Sequence, residues 1–248
     1  IMNGTECEPY LSADHRLMVE KPEAVLEGLR IVEQVLDPDA VFIGVESNKP
    51  DAISALQRAV KQAGLKYKVV SLRIKYPQGD EKQLIKAITG REVPSGGLPL
   101  DIGCIVSNAG TLQAIYEAVA LDKPLIDRLV TVSGGAIAEP ANLKVRIGTP
   151  VRDLIEECGG FTQVPAKIIT GGPMMGQTIY DLDTPVTKGT SGVLALTEKE
   201  VRLAPRTACI QCGRCVEACP IGLQPTRLFK LVDHFEYEQA VSEGLMDC

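Results

Sequence analysis

The chain has no tryptophan, two histidines and only 4% aromatic residues across 248 positions. So few rings leave little to stack on nucleic-acid bases. His15 and His234 are too isolated to suggest a metal site. Basic residues are in the minority: 26 Lys and Arg face 32 Asp and Glu, for a net charge of -6. Nucleic acid and anionic membranes both favour a basic face, so neither is an expected partner. No apolar run approaches the roughly 20 residues needed to cross a bilayer, so no direct membrane span is expected. The opening Ile1 to Glu6 lacks the apolar stretch of a signal peptide and does not read as a natural N-terminus; a fragment without a secretory leader is expected.

What the chain does have is eight cysteines, unevenly spread. Cys7, Cys104 and Cys158 are scattered, four fall within residues 209–219, and Cys248 is the last residue. Clustering without a leader points to metal ligation in a reducing compartment rather than to disulfides. The run Cys209-x2-Cys212-x2-Cys215-x3-Cys219-Pro220 has the spacing of a bacterial cubane iron–sulfur segment. Thiolates three residues apart wrap a tight loop whose amides point at sulfur, and the proline frees the fourth thiolate for a neighbouring cluster. Zinc is the alternative, although zinc ligands usually come as two separated Cys-x2-Cys pairs. Cys248 reads either as the first cysteine of a second run or as an incidental terminal thiol.

The first half alternates helical and strand periodicities, which predicts an α/β layer with largely parallel strands. Helices are expected over Pro22–Leu36, Asp51–Ala63, Glu81–Ile88 and Thr111–Leu121, and strands over Ala40–Val45, Lys68–Leu72 and Ile102–Ser107. Val25, Leu29, Val32 and Leu36 form the apolar stripe of the first helix, widened by Leu26 and Val35. Beyond Leu129 short strands at Val130–Ser133, Leu143–Ile147, Ala166–Ile169 and Gly192–Leu196 predict a small α+β unit, with one helix near Val151–Glu157. From about Ala204 the chain becomes Cys-rich, and then helical from Pro225 to Gly244. Three units follow: 1–128, 129–200 and 201–248.

Three polar, glycine-marked segments fall at expected strand ends: Asn3 to Tyr10, Tyr76 to Glu81 and Ser107 to Thr111. In open α/β sheets ligands bind there, and helix N-termini suit anions. Plain capping by Asn108 and Thr111, with Asp80 and Glu81 complementing a helix dipole, fits the same residues. Gly171-Gly-Pro-Met-Met-Gly176 is expected to be a structural turn with packed methionines. Glu6 and Glu8 should raise the Cys7 thiol pKa, and Cys104 and Cys158 are expected to be packed and inert.

Taken in order, Asn3-Gly-Thr-Glu-Cys-Glu-Pro-Tyr10, the stretch Tyr76 to Ile85, Ser107-Asn-Ala-Gly-Thr111, Gly171 to Gly176 and the cysteine run resemble the C-subunit family of Rnf electron-transport complexes. The likeness covers essentially the whole chain. More distantly, they resemble the flavin- and NADH-binding subunit of respiratory complex I. The resemblance implies an FMN- and NADH-binding α/β domain, a β-grasp-like domain of the soluble-ligand-binding type and a helical ferredoxin-type domain. It assigns Asn3, Glu6, Glu8, Tyr76, Gly79, Asp80, Glu81, Asn108 and Thr111 to the flavin and nicotinamide site. Cys209, Cys212, Cys215, Cys219 and Cys248 are assigned to two 4Fe–4S clusters, three to one and two to the other.

No side chain is expected to be catalytic, because the flavin carries the chemistry. The implied reaction is electron transfer between NAD(H), FMN and the clusters, with ferredoxin and the other complex subunits, including membrane subunits that move ions, as partners. The implied place is the cytoplasmic face of the membrane, peripherally bound. A cobalamin-reductase-type enzyme and a non-catalytic, cluster-bearing docking subunit are the alternatives. Asp80 and Thr5 depart from the complex I pattern, which has Glu and Asp there, and a Gly-rich flavin-phosphate loop is expected to precede residue 1.

Overall fold

A computed structural model describes residues 1–201 and 207–248; the expected onset of the Cys-rich region at Ala204 lies outside them. The first unit is a parallel sheet of four strands in the order β3-β2-β1-β4. These are β1 (Met2–Gly4), β2 (Phe42–Glu46), β3 (Lys68–Leu72) and β4 (Ser107–Asn108). Five helices accompany it: α1 (Ala13–Glu20), α2 (Pro22–Leu36), α3 (Pro50–Gln62), α4 (Glu81–Thr89) and α5 (Ala109–Leu121). Met2, Ile43 and Val45 are wholly buried, as expected of parallel strands covered on both faces. Local chemistry sets several boundaries. Pro22 and Pro50 occupy first helical positions, and Gly90 ends α4 in the left-handed region.

Two expectations are corrected in this unit. The run Ile102–Ser107 is not a strand. Pro99–Ile102 is a 3-10 turn, Gly103 has φ +68°, and only Ser107–Asn108 pairs with β1. The Pro and Gly break the extended backbone that the apolar pattern suggested. Nor do Val35 and Leu36 join the stripe of α2. They are 78% and 44% exposed, because the helix outlasts the core filled by Val25, Leu26 and Leu29.

The second unit is a five-stranded sheet ordered β6-β5-β9-β7-β8, with helix α6 (Val151–Glu157). Its strands are β5 (Asp127–Ser133), β6 (Ala141–Arg146), β7 (Lys167–Thr170), β8 (Gln177–Ile179) and β9 (Gly192–Leu196). β5 and β6 are antiparallel, β9 runs parallel to β5, and β7 pairs antiparallel with β9 and β8. This mixed sheet with one helix is the β-grasp-like arrangement expected. Val130, Val132, Leu154 and Val193 fill its core.

The C-terminal residues form short helices α7 (Arg214–Ala218), α8 (Pro225–Asp233) and α9 (Tyr237–Ser242) around Leu228, Leu231 and Ala240. The expected helical stretch from Pro225 to Gly244 is therefore interrupted, at Phe235 with φ +62°. Among the described residues no helix is long and apolar enough to cross a membrane.

Candidate functional site

β1 lies between β2 and β4, so the chain connections diverge on either side of it. The crevice beyond the carboxyl ends of β1 and β4 is the topological switch point, where open α/β sheets bind ligands. The polar segments singled out in the sequence meet around it.

Asn3 ties two of them together. Its Nδ2 donates to the Gly79 carbonyl at 2.9 Å, and its Oδ1 accepts from the Thr5 amide at 3.1 Å and the Thr5 hydroxyl at 2.5 Å. Gly79 allows that approach, since a Cβ there would lie 2.7 Å from the Thr5 carbonyl oxygen. Between them sits Gln78, 1% exposed, with its Nε2 unpartnered among the described residues. A buried donor without an acceptor is unfavourable, and sequence patterning alone did not single Gln78 out.

The other residues divide by what they touch. Asp80 is the N-cap of α4 and accepts from the Gln83 amide at 3.0 Å; Glu81 follows on the exposed first turn. Asn108 caps α5, its Oδ1 accepting from the Gly110 amide at 2.8 Å while its Nδ2 donates to Asp14 at 2.6 Å. Asn108 caps as expected, but Thr111 lies inside α5 and is not a cap, while Asp80, expected only to complement a helix dipole, is itself the N-cap of α4. Asn108 and Thr111 line a cavity of about 530 Å³ shared with Asp14, Lys21, Arg128 and Lys188. Its lining mixes charges, with Lys21, Arg128, Lys144 and Lys188 alongside Asp14, Glu117 and Asp127, and the N-terminus of the 13-residue α5 opens onto it.

Glu6 and Glu8, two residues apart, separate. Glu6 turns inward and accepts from the amides of Asp14 at 3.0 Å and His15 at 3.2 Å. Lys49 lies 3.7 Å from its carboxylate and 3.2 Å from that of Glu46. Burial above all, then the neighbouring Asp14, pushes the Glu6 carboxyl above its ordinary value. Glu8 reaches the second sheet, where Met174 and Met175 donate their amides to it at 3.0 and 2.8 Å. Tyr76 is 42% exposed, and partial burial, with the charge of Glu8 next, raises its phenol.

Burial, more than the charges of Glu46 and Glu8, raises the Cys7 thiol. Cys104 and Cys158 are buried, as expected. His15 bonds Asp51 at 2.7 Å. The Gly171–Gly176 segment is a turn, but its methionines do not pack: Met174 is 56% and Met175 79% exposed. The turn is held instead by backbone bonds, from the Gly171 amide to the Gly192 carbonyl and from the Gly176 amide to the Gly172 carbonyl.

Cys209, Cys212, Cys215 and Cys248 are exposed and Cys219 is half-buried. The Gln211 amide donates to Cys209 Sγ at 3.4 Å and the Leu223 amide to Cys219 Sγ at 3.3 Å. Among the described residues no three Cys, His, Asp or Glu side chains are close enough together to hold a single metal ion. The donor set itself, soft thiols with amides aimed at sulfur, fits an iron–sulfur group. The unpartnered Gln78 donor likewise fits a polar ligand such as a flavin nucleotide.

Comparison with known proteins agrees with this layout. Residues 1–117 match the Nuo51 FMN-binding domain family, 129–178 the SLBB domain and 206–223 the 4Fe-4S binding domain. The NAD+-reducing [NiFe]-hydrogenase in its air-oxidised state shares the fold, with a TM-score of 0.65 and 18% identity over 80% of this chain and 40% of that one. These domains in this order define a modular architecture of a Nuo51 FMN-binding domain, an SLBB domain and a 4Fe-4S binding domain.

Within that architecture, the chain is similar to C subunits of ion-translocating ferredoxin:NAD+ oxidoreductase complexes. It is 51% identical over 248 residues to the C subunit of the proton-translocating complex of Clostridium ljungdahlii, covering 100% of this chain and 54% of the relative. Identity to the C subunit of the Na+-translocating complex of Acetobacterium woodii is 48%, covering 100% and 56%. For the C subunit of the ion-translocating oxidoreductase complex of Rhodobacter capsulatus it is 48%, covering 99% and 47%. The chain thus spans about half the length of the relatives it matches.

Proposed function

We propose that this chain is the electron-carrying part of a ferredoxin:NAD+ oxidoreductase C subunit of the Rnf type, working with NAD(H), FMN and two 4Fe–4S clusters. We assign residues 1–128 to the flavin and nucleotide domain, 129–200 to the β-grasp-like domain and 201–248 to the cluster domain. When bound, FMN would supply two-electron chemistry toward NAD(H) and one-electron chemistry toward the clusters. The residues of this chain bind and orient. Asn3 and Gly79 hold the two loops of the crevice together, Gln78 offers its free donor, and Asn108 and Thr111 shape the cavity wall. Glu6 stabilises the β1 loop from inside, while Tyr76, Asp80, Glu81 and Glu8 face the nicotinamide nucleotide. Cys209, Cys212 and Cys215 would hold one cluster, with Cys219 and Cys248 serving the second.

The observation that supports this most is the Asn3–Gly79 hydrogen bond, which joins the two polar motifs at the switch point. Ferredoxin and the other complex subunits, including membrane subunits, are the proposed partners, and the cytoplasmic face of the membrane is the proposed location. The test is to reconstitute the full-length protein with FMN, iron and sulfide and titrate it anaerobically with NADH. Flavin bleaching followed by cluster reduction is expected. Cys215→Ser should lose bound iron while Cys158→Ser keeps it. An unbleached flavin at full occupancy would sink the enzymatic reading and leave a docking subunit, and reduction of a corrinoid rather than ferredoxin would redirect it.

A further inference from the structure

The Gly171–Gly176 turn has no role in the function just described, yet each of its glycines has a steric reason. It joins β7 to β8. Gly171 has φ +100°, and a Cβ on Gly176 would lie 2.4 Å from the Gly172 carbonyl oxygen. Gly172 is different, because what it makes room for is Glu8: a Cβ there would lie 2.3 Å from the Glu8 carboxyl carbon and one of its oxygens. The adjoining Met174 and Met175 amides then donate one bond to each Glu8 oxygen. With both methionine side chains largely exposed, the turn meets Glu8 through main-chain donors. Successive amides converging on an anion form a nest.

The contact belongs to a longer seam. Tyr10 bonds Glu200 at 2.8 Å, the Ser12 amide bonds Thr131 Oγ1 at 3.0 Å, and Leu11 packs against Ile169, Leu194 and Leu196. The segment leaving the β1 loop is thus laid along the second sheet, with Glu8 at its start. A carboxylate has about four acceptor positions, and two amides leave the others for a ligand that carries O–H or N–H donors. A nicotinamide nucleotide offers both, in its ribose hydroxyls and carboxamide.

We propose that the Gly171–Gly176 turn is a positioning element of the nucleotide site, contributed by the β-grasp-like unit, which fixes Glu8 through the Met174 and Met175 amides. This inference rests on the reading of Glu8 as a nucleotide-facing residue. Gly172 and the two amides act through Glu8 and are positioning groups, not catalytic ones.

The test uses full-length, flavin-loaded protein and calorimetric titration with NAD+, which binds without reducing the flavin. Gly172→Ala and Glu8→Ala should each weaken NAD+ about tenfold, the scale of a lost charge-assisted contact. The double variant should be no weaker than Glu8→Ala, and flavin occupancy should not change. Without nucleotide, hydrogen exchange at the Met174 and Met175 amides should speed up in Glu8→Ala. Should Gly172→Ala fail to fold, Glu8→Gln serves, since it removes one acceptor oxygen and should show a smaller shift in both readouts. If Gly172→Ala, or Glu8→Gln in its place, lowers the melting temperature with native NAD+ affinity while Glu8→Ala binds weakly, the turn is only a structural tie and the proposal falls. If Glu8→Ala also binds NAD+ normally, the role given to Glu8 falls with it.

Discussion

Asn108 donates its Nδ2 hydrogen to Asp14 at 2.6 Å, joining the end of β4 to the first turn of α1 at the rim of the cavity. Asp14 in turn lies beside Glu6, whose carboxylate accepts the Asp14 amide. Both carboxyls are held above their ordinary values, chiefly by burial. Lys49 acts on both and Arg128 on Asp14, yet their charge offsets only part of that burial penalty.

Asp14→Asn should therefore stabilise the protein at alkaline pH. A carboxyl raised in the folded state contributes stability that is complete below its unfolded pKa and is lost as pH rises through the folded one. Asparagine removes that loss while its Oδ1 still accepts from Asn108. Urea midpoints should be higher for the variant at about pH 8 and should converge with wild type as pH falls below the ordinary aspartate value of 3.8. A pH-independent difference would contradict this linkage.

Gly28→Ala should destabilise, although alanine is the better helix former. Helices α2 and α5 cross at Gly28, where a Cβ would lie 1.8 Å from the Leu112 carbonyl oxygen. Forcing the helices apart costs about 1–3 kcal/mol, more than the propensity gain of roughly 1 kcal/mol. Equilibrium urea unfolding measures the sign directly, and an unchanged or raised midpoint would show that the crossing tolerates a methyl.

Lys49→Met should be among the most damaging single changes. Lys49 is 7% exposed, donates to the Glu6 carbonyl at 3.1 Å and to Glu46 at 3.2 Å, and Glu46 is itself 2% exposed. Removing one partner of a buried pair leaves an uncompensated charge and costs about 3–5 kcal/mol. Adding Glu46→Gln should restore part of the loss, so the two changes should be clearly non-additive in guanidinium unfolding. Simple additivity would mean that the pair is not coupled.

Where structure follows from local chemistry, the sequence was enough. Helix α2 begins at Pro22 and α4 ends at Gly90, because a fixed φ and a left-handed φ act within one residue. The apolar run Ala40–Val45 needed only the alternation with helices to be read as a buried strand, which the structure places at Phe42–Glu46. The cysteine run is equally local, since its spacing lies within residues 209–219. Helix α1 lacks such a local signal, because its first amides are capped by Glu6, seven positions upstream of Ala13, and not by a neighbouring residue.

Tertiary structure decided what no spacing encodes. Glu6 and Glu8 are near-identical neighbours in sequence, yet one is enclosed with Lys49 and Asp14 while the other lies on a turn more than 160 residues away, as Met174 and Met175 are 166 and 167 positions on. Gln78, 1% exposed, becomes an unpartnered buried donor only in the folded chain. The order of the motifs was present in the chain itself. Glu6 turns inward because the folded first unit brings the α1 amides and Lys49 to it. Glu8 is held by main-chain amides more than 160 residues away, a contact that exists only once the second sheet's turn is packed against the β1 loop.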